Sequence, residues 1–398
     1  MTVAGTGPVD RLVPGLAIGA CSPPTPGELD DALADADVVV VENLCSLPLN
    51  PGAAEVAARV LAGRPAVLHH HDLPWQRPQF ATSPPPPDDP CWVHVTINER
   101  SRRELAERGI DATTVYNTFD PVDPPGADER RSARNRLGIP ATSRLALQPT
   151  RALARKNVAG GVRAAEALGA TYWLLGPPED GFDDALAATV AAARCPVLTG
   201  WPDGTARPVA DAYAACDVVV LPSTWEGFGN PSVESALHLR PLLIGPYPVA
   251  AELAAFGFHW FGLDQLEAAA AFLDHPDASL LAHNRSVAIH RFSTASLPSR
   301  LAAVLDGLER GGAGARAGRG RGLEQGGAGG SSRAGPGGPG SWERLGRGRG
   351  PTAANPPPRE RLTPPTTSMP AWSRPSGRTA RSTTTVTAQP SFLLPPDV

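Results

Sequence analysis

Lysine is nearly missing from this chain: of 36 basic residues in 398, 35 are arginine and one is Lys156. The arginine excess reads as the imprint of a GC-rich coding sequence, so only the exception carries information. No run of about 18 apolar residues occurs, which excludes a membrane-spanning helix and leaves only peripheral membrane contact open. No charged start followed by an apolar stretch marks a secretory leader. The five cysteines (Cys21, Cys45, Cys91, Cys195 and Cys216) are odd in number and form no C-x-x-C pair. Such a set suggests reduced thiols in a cytoplasmic protein. A net charge of −4 predicts no strong affinity for nucleic acid.

The 45 prolines and 41 glycines crowd toward the end of the chain. From Gly311 onward twelve arginines face four acidic residues and apolar periodicity is lost. Such a stretch cannot bury enough surface to fold alone. Residues 311–398 are therefore expected to form a disordered low-complexity tail. Its Gly-Arg pairs at 318–321 and 346–349 resemble RNA-binding segments. A disordered extension, or a misread frame of a GC-rich gene, accounts for them better.

The first 310 residues have room for two domains. A helix over Glu28–Asp35 is followed by a buried strand, Asp37–Val41. Ala215-Cys216-Asp217-Val218-Val219-Val220 repeats that grammar in the second half. The repeat fits two Rossmann-like units. Asp35 and Asp37 have the spacing of a metal-binding pair but sit at a helix–strand junction, so no metal is assigned to them. Helix Pro51–Leu61 precedes strand Ala66–Leu68, which runs into His69-His70-His71-Asp72. Alternation along a strand puts His69 and His71 on one face and His70 on the other. A zinc site would need a further ligand cluster, and none is near in sequence. Strand Val93–Asn98, helix Glu99–Arg108 and the exit element Thr113–Asp120 complete a domain over 1–120. Residues 1–20 offer only a short strand and turn. A crossover over 121–143 leads to a second domain over 144–310, whose final helix is expected at Pro298–Leu308.

The most informative stretch is Thr224-Trp225-Glu226-Gly227-Phe228-Gly229-Asn230-Pro231-Ser232-Val233-Glu234. It follows the apolar strand Asp217–Leu221 and leads into a helix, with Asn230 suited to cap it and Pro231 to open it. Gly227 and Gly229 let the backbone approach a ligand. Free amides at a helix start attract an anion. An anion cradle flanked by two carboxylates suits a ligand with phosphate at one end and hydroxyls at the other, such as a nucleotide sugar. Upstream, Arg151 and Lys156 are two cations five residues apart before a helix, a spacing able to grip a diphosphate. Arg155 reads as a rival or a surface residue.

The string EGFGNPSVE resembles the signature of retaining glycosyltransferases of the family 4 type, which have the GT-B fold. The resemblance runs from about residue 35 to 308. It implies two Rossmann-like domains facing across a cleft, here with a shortened, incomplete N-terminal half. It implies transfer of a sugar with retention from a nucleotide-sugar donor to an unknown acceptor. No metal and no cofactor are implied, the nucleotide sugar being a substrate. Glu226 would contact the donor sugar, Glu234 the ribose, and Gly227, Phe228, Gly229 and Asn230 the diphosphate. Arg151 and Lys156 would bind the donor phosphates, and His71 would face the donor sugar from the other cleft wall. The family's closing helices cross back to the first domain, whereas this chain is expected to turn into its tail. A nucleotide-sugar isomerase of the same fold and a truncated binding protein without turnover are the rival readings.

Overall fold

Valine-rich runs build the first sheet. The strands are β1 (Thr2–Ala4), β2 (Arg11–Leu12), β3 (Val38–Glu42), β4 (Ala66–His70), β5 (Trp92–Thr96) and β6 (Ala112–Thr114). In the second half lie β7 (Arg144–Gln148), β8 (Ala170–Leu174), β9 (Val197–Thr199), β10 (Val218–Leu221), β11 (Leu242–Ile244) and β12 (Phe261–Gly262). A last strand, β13 (Thr383–Thr387), comes from far along the chain. The computed structural model describes residues 1–202, 204, 207–308 and 382–387. Within them the strands form two parallel sheets, ordered β2-β1-β13-β3-β4-β5-β6 and β12-β11-β10-β7-β8-β9. Near-continuous apolar strands such as β10, buried throughout, are what parallel sheets covered on both faces require.

Helix boundaries follow local chemistry. Thr25 accepts a bond from the Glu28 amide, and Glu28 returns one to the Thr25 amide, closing a capping box on α1 (Pro26–Ala32). Asn50 caps α2 (Pro51–Leu61), with proline in its first turn. Asp35 and Asp37, rejected above as a metal pair, have other partners: Asp35 pairs with Arg11, and Asp37 accepts from the Ser382 amide.

Two expectations about the chain's end are corrected. Residues 383–387, assigned to the disordered tail, form β13 between β1 and β3. The run TTTVT is β-branched throughout and fits a pleated, buried strand, a local signal that bulk composition concealed. The remainder of the expected tail lies outside the described residues, apart from Ser382. Nor does the chain leave the fold after α11 (Ala278–Phe292). Phe119 donates its amide to the Phe292 carbonyl, and residues 297–308 are helical. Val304 and Leu308 pack with Val38, Val67, Val95 and Val115 of the first lobe. The first lobe thus draws on three separate parts of the chain, which is why 1–120 alone reads as short.

The crossover over 121–143 contains a charged helix, α4 (Ala127–Arg136), which docks on the second lobe. Arg130 and Arg134 both pair with Asp217 and donate to carbonyls at the end of α7 (Val209–Ala215). Cations are favoured at a helix C-terminus. Arg134 is buried, and Asp217 is the carboxylate that balances it. Asp217→Ala is therefore expected to destabilise the second lobe by roughly 3 kcal/mol, because it leaves a buried charge without its partner. Urea denaturation would show it, and an unchanged midpoint would refute it.

Candidate functional site

Both sheets present the carboxyl ends of their strands where the two lobes meet. The chain following β7 makes a short helical turn, Ala154–Lys156, and Asn157 adopts a left-handed conformation and caps α5 (Val158–Ala167). That turn buries Lys156 and aims it at the loop after β10. Lys156 Nζ donates to both carboxylate oxygens of Glu226, at 2.6 and 2.8 Å. Arg155 Nη1 reaches Glu226 Oε2 at 3.2 Å and also the Trp225 carbonyl. Glu226 is only 6% exposed. Burial pushes the Lys156 ammonium below its ordinary pKa, and the attraction of Glu226 only partly offsets this.

Arg155, weighed as a surface residue, thus stands at the core of the cluster. Arg151 is placed differently from Lys156: it is exposed and pairs with Glu179 at 2.7 Å. Its charge still acts on Lys156, adding to the lowering of that pKa. The three-residue turn explains the outcome, since it reverses the chain between Arg151 and Lys156 and leaves Arg155 adjacent to Lys156.

Two glycines in the turn are sterically required. A side chain at Gly227 would lie 2.5 Å from the His71 carbonyl oxygen. Gly229 has a φ of +92°, and a Cβ there would lie 2.1 Å from the Tyr247 hydroxyl. Among the described residues no acceptor takes the amides of Gly227, Phe228 or Gly229. Phe228 is buried against Phe119 and Phe292. Asn230 precedes α8 (Pro231–Leu237) as expected, but its side chain does not cap the helix. It accepts from Asn117 at 2.9 Å instead, because the first lobe supplies a nearer donor. Glu234 takes a 2.6 Å bond from the Tyr213 hydroxyl, and burial raises that phenol well above its usual pKa.

Tyr213 is stacked on His238, with ring centroids 4.7 Å apart. Burial, with Arg240 and Arg285 adding to it, lowers the His238 pKa from 6.5 to about 4. The neutral form is favoured in the fold, so the unfolded chain binds the proton first as pH falls. Stability from this group is complete above pH 6.5 and is lost between 6.5 and about 4. Between pH 7 and 4.5 wild type should lose about 2 to 3 kcal/mol more than His238→Gln in urea denaturation. Equal losses would exclude His238 as the source. Trp201 packs edge-on against Trp173, with ring centroids 4.8 Å apart.

The first lobe supplies the facing wall. His69 and His71 do share a face, and His70 points the other way. His70 takes part in a buried chain from Ser46 (2.6 Å) to His94 (2.8 Å), which continues to Asp88. Burial pushes both His70 and His94 below the usual histidine pKa, with Asp88 acting against this at His94. The His71 imidazole is turned to Glu42, its amide to Asn43, and its carbonyl toward Gly227. Glu42 was missed in the sequence because it lies on the neighbouring strand. Burial alone would raise the Glu42 carboxyl; the charges and hydrogen bonds of His69 and His71 hold it far below the usual carboxylate range.

Direct bonds join the lobes. Asn98 caps α3 (Glu99–Ala106) through the Ser101 amide and donates to the Gly227 carbonyl at 2.6 Å. Glu252, from the second lobe, accepts the amides of Glu99 and Arg100 and the Tyr116 hydroxyl. A carboxylate at a helix N-terminus takes up orphan donors and the helix dipole together. No disulfide links any of the five cysteines, and among the described residues no helix is long and apolar enough to cross a membrane.

No family model matches the chain. Over 142 residues it is 34% identical to the mannosylglucosylglycerate synthase of Thermotoga maritima, a match over 33% of each chain. It is 25% identical over 279 residues to the protein of the same name from Petrotoga mobilis, 57% of this chain and 63% of that one. The chain thus spans less than two thirds of the length of these curated relatives. Among solved structures it is similar to Anabaena HepE in complex with UDP and glucose, with a TM-score of 0.57 and 19% identity over 71% of this chain and 80% of that one. It is also similar to the sucrose-phosphate synthase of Thermosynechococcus elongatus, with a TM-score of 0.56 and 14% identity over 72% of this chain and 77% of that one. These likenesses agree with the sheet topology: two parallel-sheet α/β lobes in the GT-B arrangement expected from the sequence.

Proposed function

We propose that this protein is a glycosyltransferase that takes a sugar from a nucleotide-sugar donor, with retention and with no metal needed at the diphosphate. The observation that carries the reading is the buried Lys156–Glu226 pair, with Arg155 beside it, next to three glycine-turn amides that have no acceptor among the described residues. Buried ion pairs are a poor source of stability, so a pair with a second use is the more economical account. An arriving diphosphate would compete with Glu226 for Lys156 and Arg155, with Arg151 adding positive field from the rim. The amides of Gly227 to Gly229 and the Asn230 turn would take phosphate oxygens. Released from Lys156, Glu226 could turn to the sugar hydroxyls, and Glu234 would hold the ribose.

As the sugar–phosphate bond breaks, negative charge grows on the leaving diphosphate. Cations held in a site where Lys156 is only 9% exposed stabilise that charge more than they stabilise the ground state. His71 forms the opposite wall. The inter-lobe bonds of Asn98 and Glu252 describe a closed arrangement, and donor entry requires them to loosen. The UDP and glucose bound to HepE and the named activities of sucrose-phosphate synthase and the mannosylglucosylglycerate synthases are consistent with this reading. A cytoplasmic setting belongs to the proposal.

Calorimetric titration of the full chain with UDP, GDP and ADP tests it. One nucleotide should bind with micromolar affinity, and its sugar conjugate should be hydrolysed slowly or transferred. Binding of none of the three would defeat the proposal. Binding without turnover of any conjugate would reduce the protein to a nucleotide-sugar binder.

A further inference from the structure

The histidine face of the first lobe is not used by the phosphate grip. Glu42 ends β3, and its register partner across the ladder to β4 is His69. His71 lies two residues on, so its ring returns to the same face. Glu42 Oε2 is 2.9 Å from His69 Nδ1 and 2.9 Å from His71 Nε2. One ligand atom from each residue can be chosen so that all three lie within 4.8 Å of one another. The three side chains are 13 to 22% exposed, which leaves the cluster one wet side.

One feature distinguishes this cluster from a structural network: among the described residues the Glu42 carboxylate has no lysine or arginine partner, only the two imidazoles. The neighbouring His70 has both ring nitrogens engaged, as a histidine kept for structure does.

We propose that Glu42, His69 and His71 form a binding site for one divalent transition-metal ion of the zinc class. His69 Nδ1, His71 Nε2 and a Glu42 carboxylate oxygen are the ligands. Two imidazoles and one carboxylate with a fourth position open to water match the donor set of three-ligand zinc sites. Two nitrogen donors favour zinc, cobalt and nickel over magnesium and calcium, which ask for oxygen shells. On binding, each imidazole presents a lone pair where it now donates a proton, and that proton moves to its other ring nitrogen. The carboxylate exchanges two N–H bonds for one cation. Because Glu42 and His69 sit on adjacent strands and His71 directly follows β4, little conformational freedom is lost on binding. The His71 carbonyl faces Gly227, so the ion would fix the wall opposite the glycine turn while leaving Lys156 and Glu226 free.

The test is a cobalt titration of the metal-stripped full chain, followed by visible absorption, with zinc added in competition. One cobalt ion per chain with the intense absorption of a four-coordinate site is expected, displaced by zinc and not by magnesium. His69→Ala and Glu42→Gln should each weaken uptake at least tenfold or so. His283→Ala, beside His259 on another face of the protein, should not. Glu42→Gln preserves side-chain size, so it remains informative if His69→Ala fails to fold. Absence of saturable uptake, uptake unchanged in Glu42→Gln, or equal competition by magnesium would each overturn the assignment. Nucleotide titration of Lys156→Ala does not enter this result, so the metal site and the proposed activity stand or fall separately.

Discussion

A chain ending at residue 381 should lose the cooperative melting of its first lobe while the second lobe still melts. The strand removed, β13, lies between β1 and β3 and bonds to both. Thr384, Val386 and Thr387 are at most 1% exposed, and Val386 packs with Val3, Val39 and Val41. Without β13 the inner edges of two strands would be left with unpaired backbone groups in a region otherwise sealed from water. Lost burial of Val386 alone is worth about 2 kcal/mol. Five rows of ladder bonds go with it, against a total stability of only about 5–15 kcal/mol for a typical domain. Val386→Asp should act in the same direction without shortening the chain, since it buries an unpaired charge. Differential scanning calorimetry reads both. A truncated chain with the full heat profile would show that β13 adds nothing to the sheet.

Lys156→Ala should weaken the nucleotide binding proposed above by about 10- to 150-fold, the loss of one charge-assisted bond. It should also destabilise the second lobe by roughly 3 kcal/mol, because Glu226 is left buried with only Arg155 to balance it. Lys156→Arg is not expected to rescue binding: a planar fork cannot take the place of a compact ammonium in a site with 11% exposure. The double variant Lys156→Met with Glu226→Leu separates the two effects. Replacing both partners by apolar groups of similar size should restore most of the stability and none of the binding. A double variant that still binds nucleotide would remove this pair from the function altogether.

Most of the local structure was legible because it is written in short-range chemistry. Helix α2 begins and ends where proline, alanine and leucine place it, and the buried strands β3 and β10 follow from unbroken valine runs. The split of His69 and His71 from His70 needed only the two-residue period of a strand. The glycine turn, the lone lysine and the GT-B arrangement could be read for the same reason: each is a pattern within about ten residues.

What the sequence could not supply were pairings across distance. Glu42 reaches the histidines only because β3 and β4 lie in register. Arg155 displaces Arg151 beside Lys156 because one tight turn redirects the chain between them. Asn230 gives up its capping role to a donor from the other lobe. Strand β13 was hidden because the composition of the last 88 residues, dominated by Gly, Pro and Arg, outweighs five β-branched ones, and a strand is stabilised by neighbours that its own sequence does not name. The chain's sequence by itself determined which segments become helix and strand. The tertiary structure alone decided which side chains meet, because register, crossover and lobe closure depend on contacts between residues tens to hundreds of positions apart.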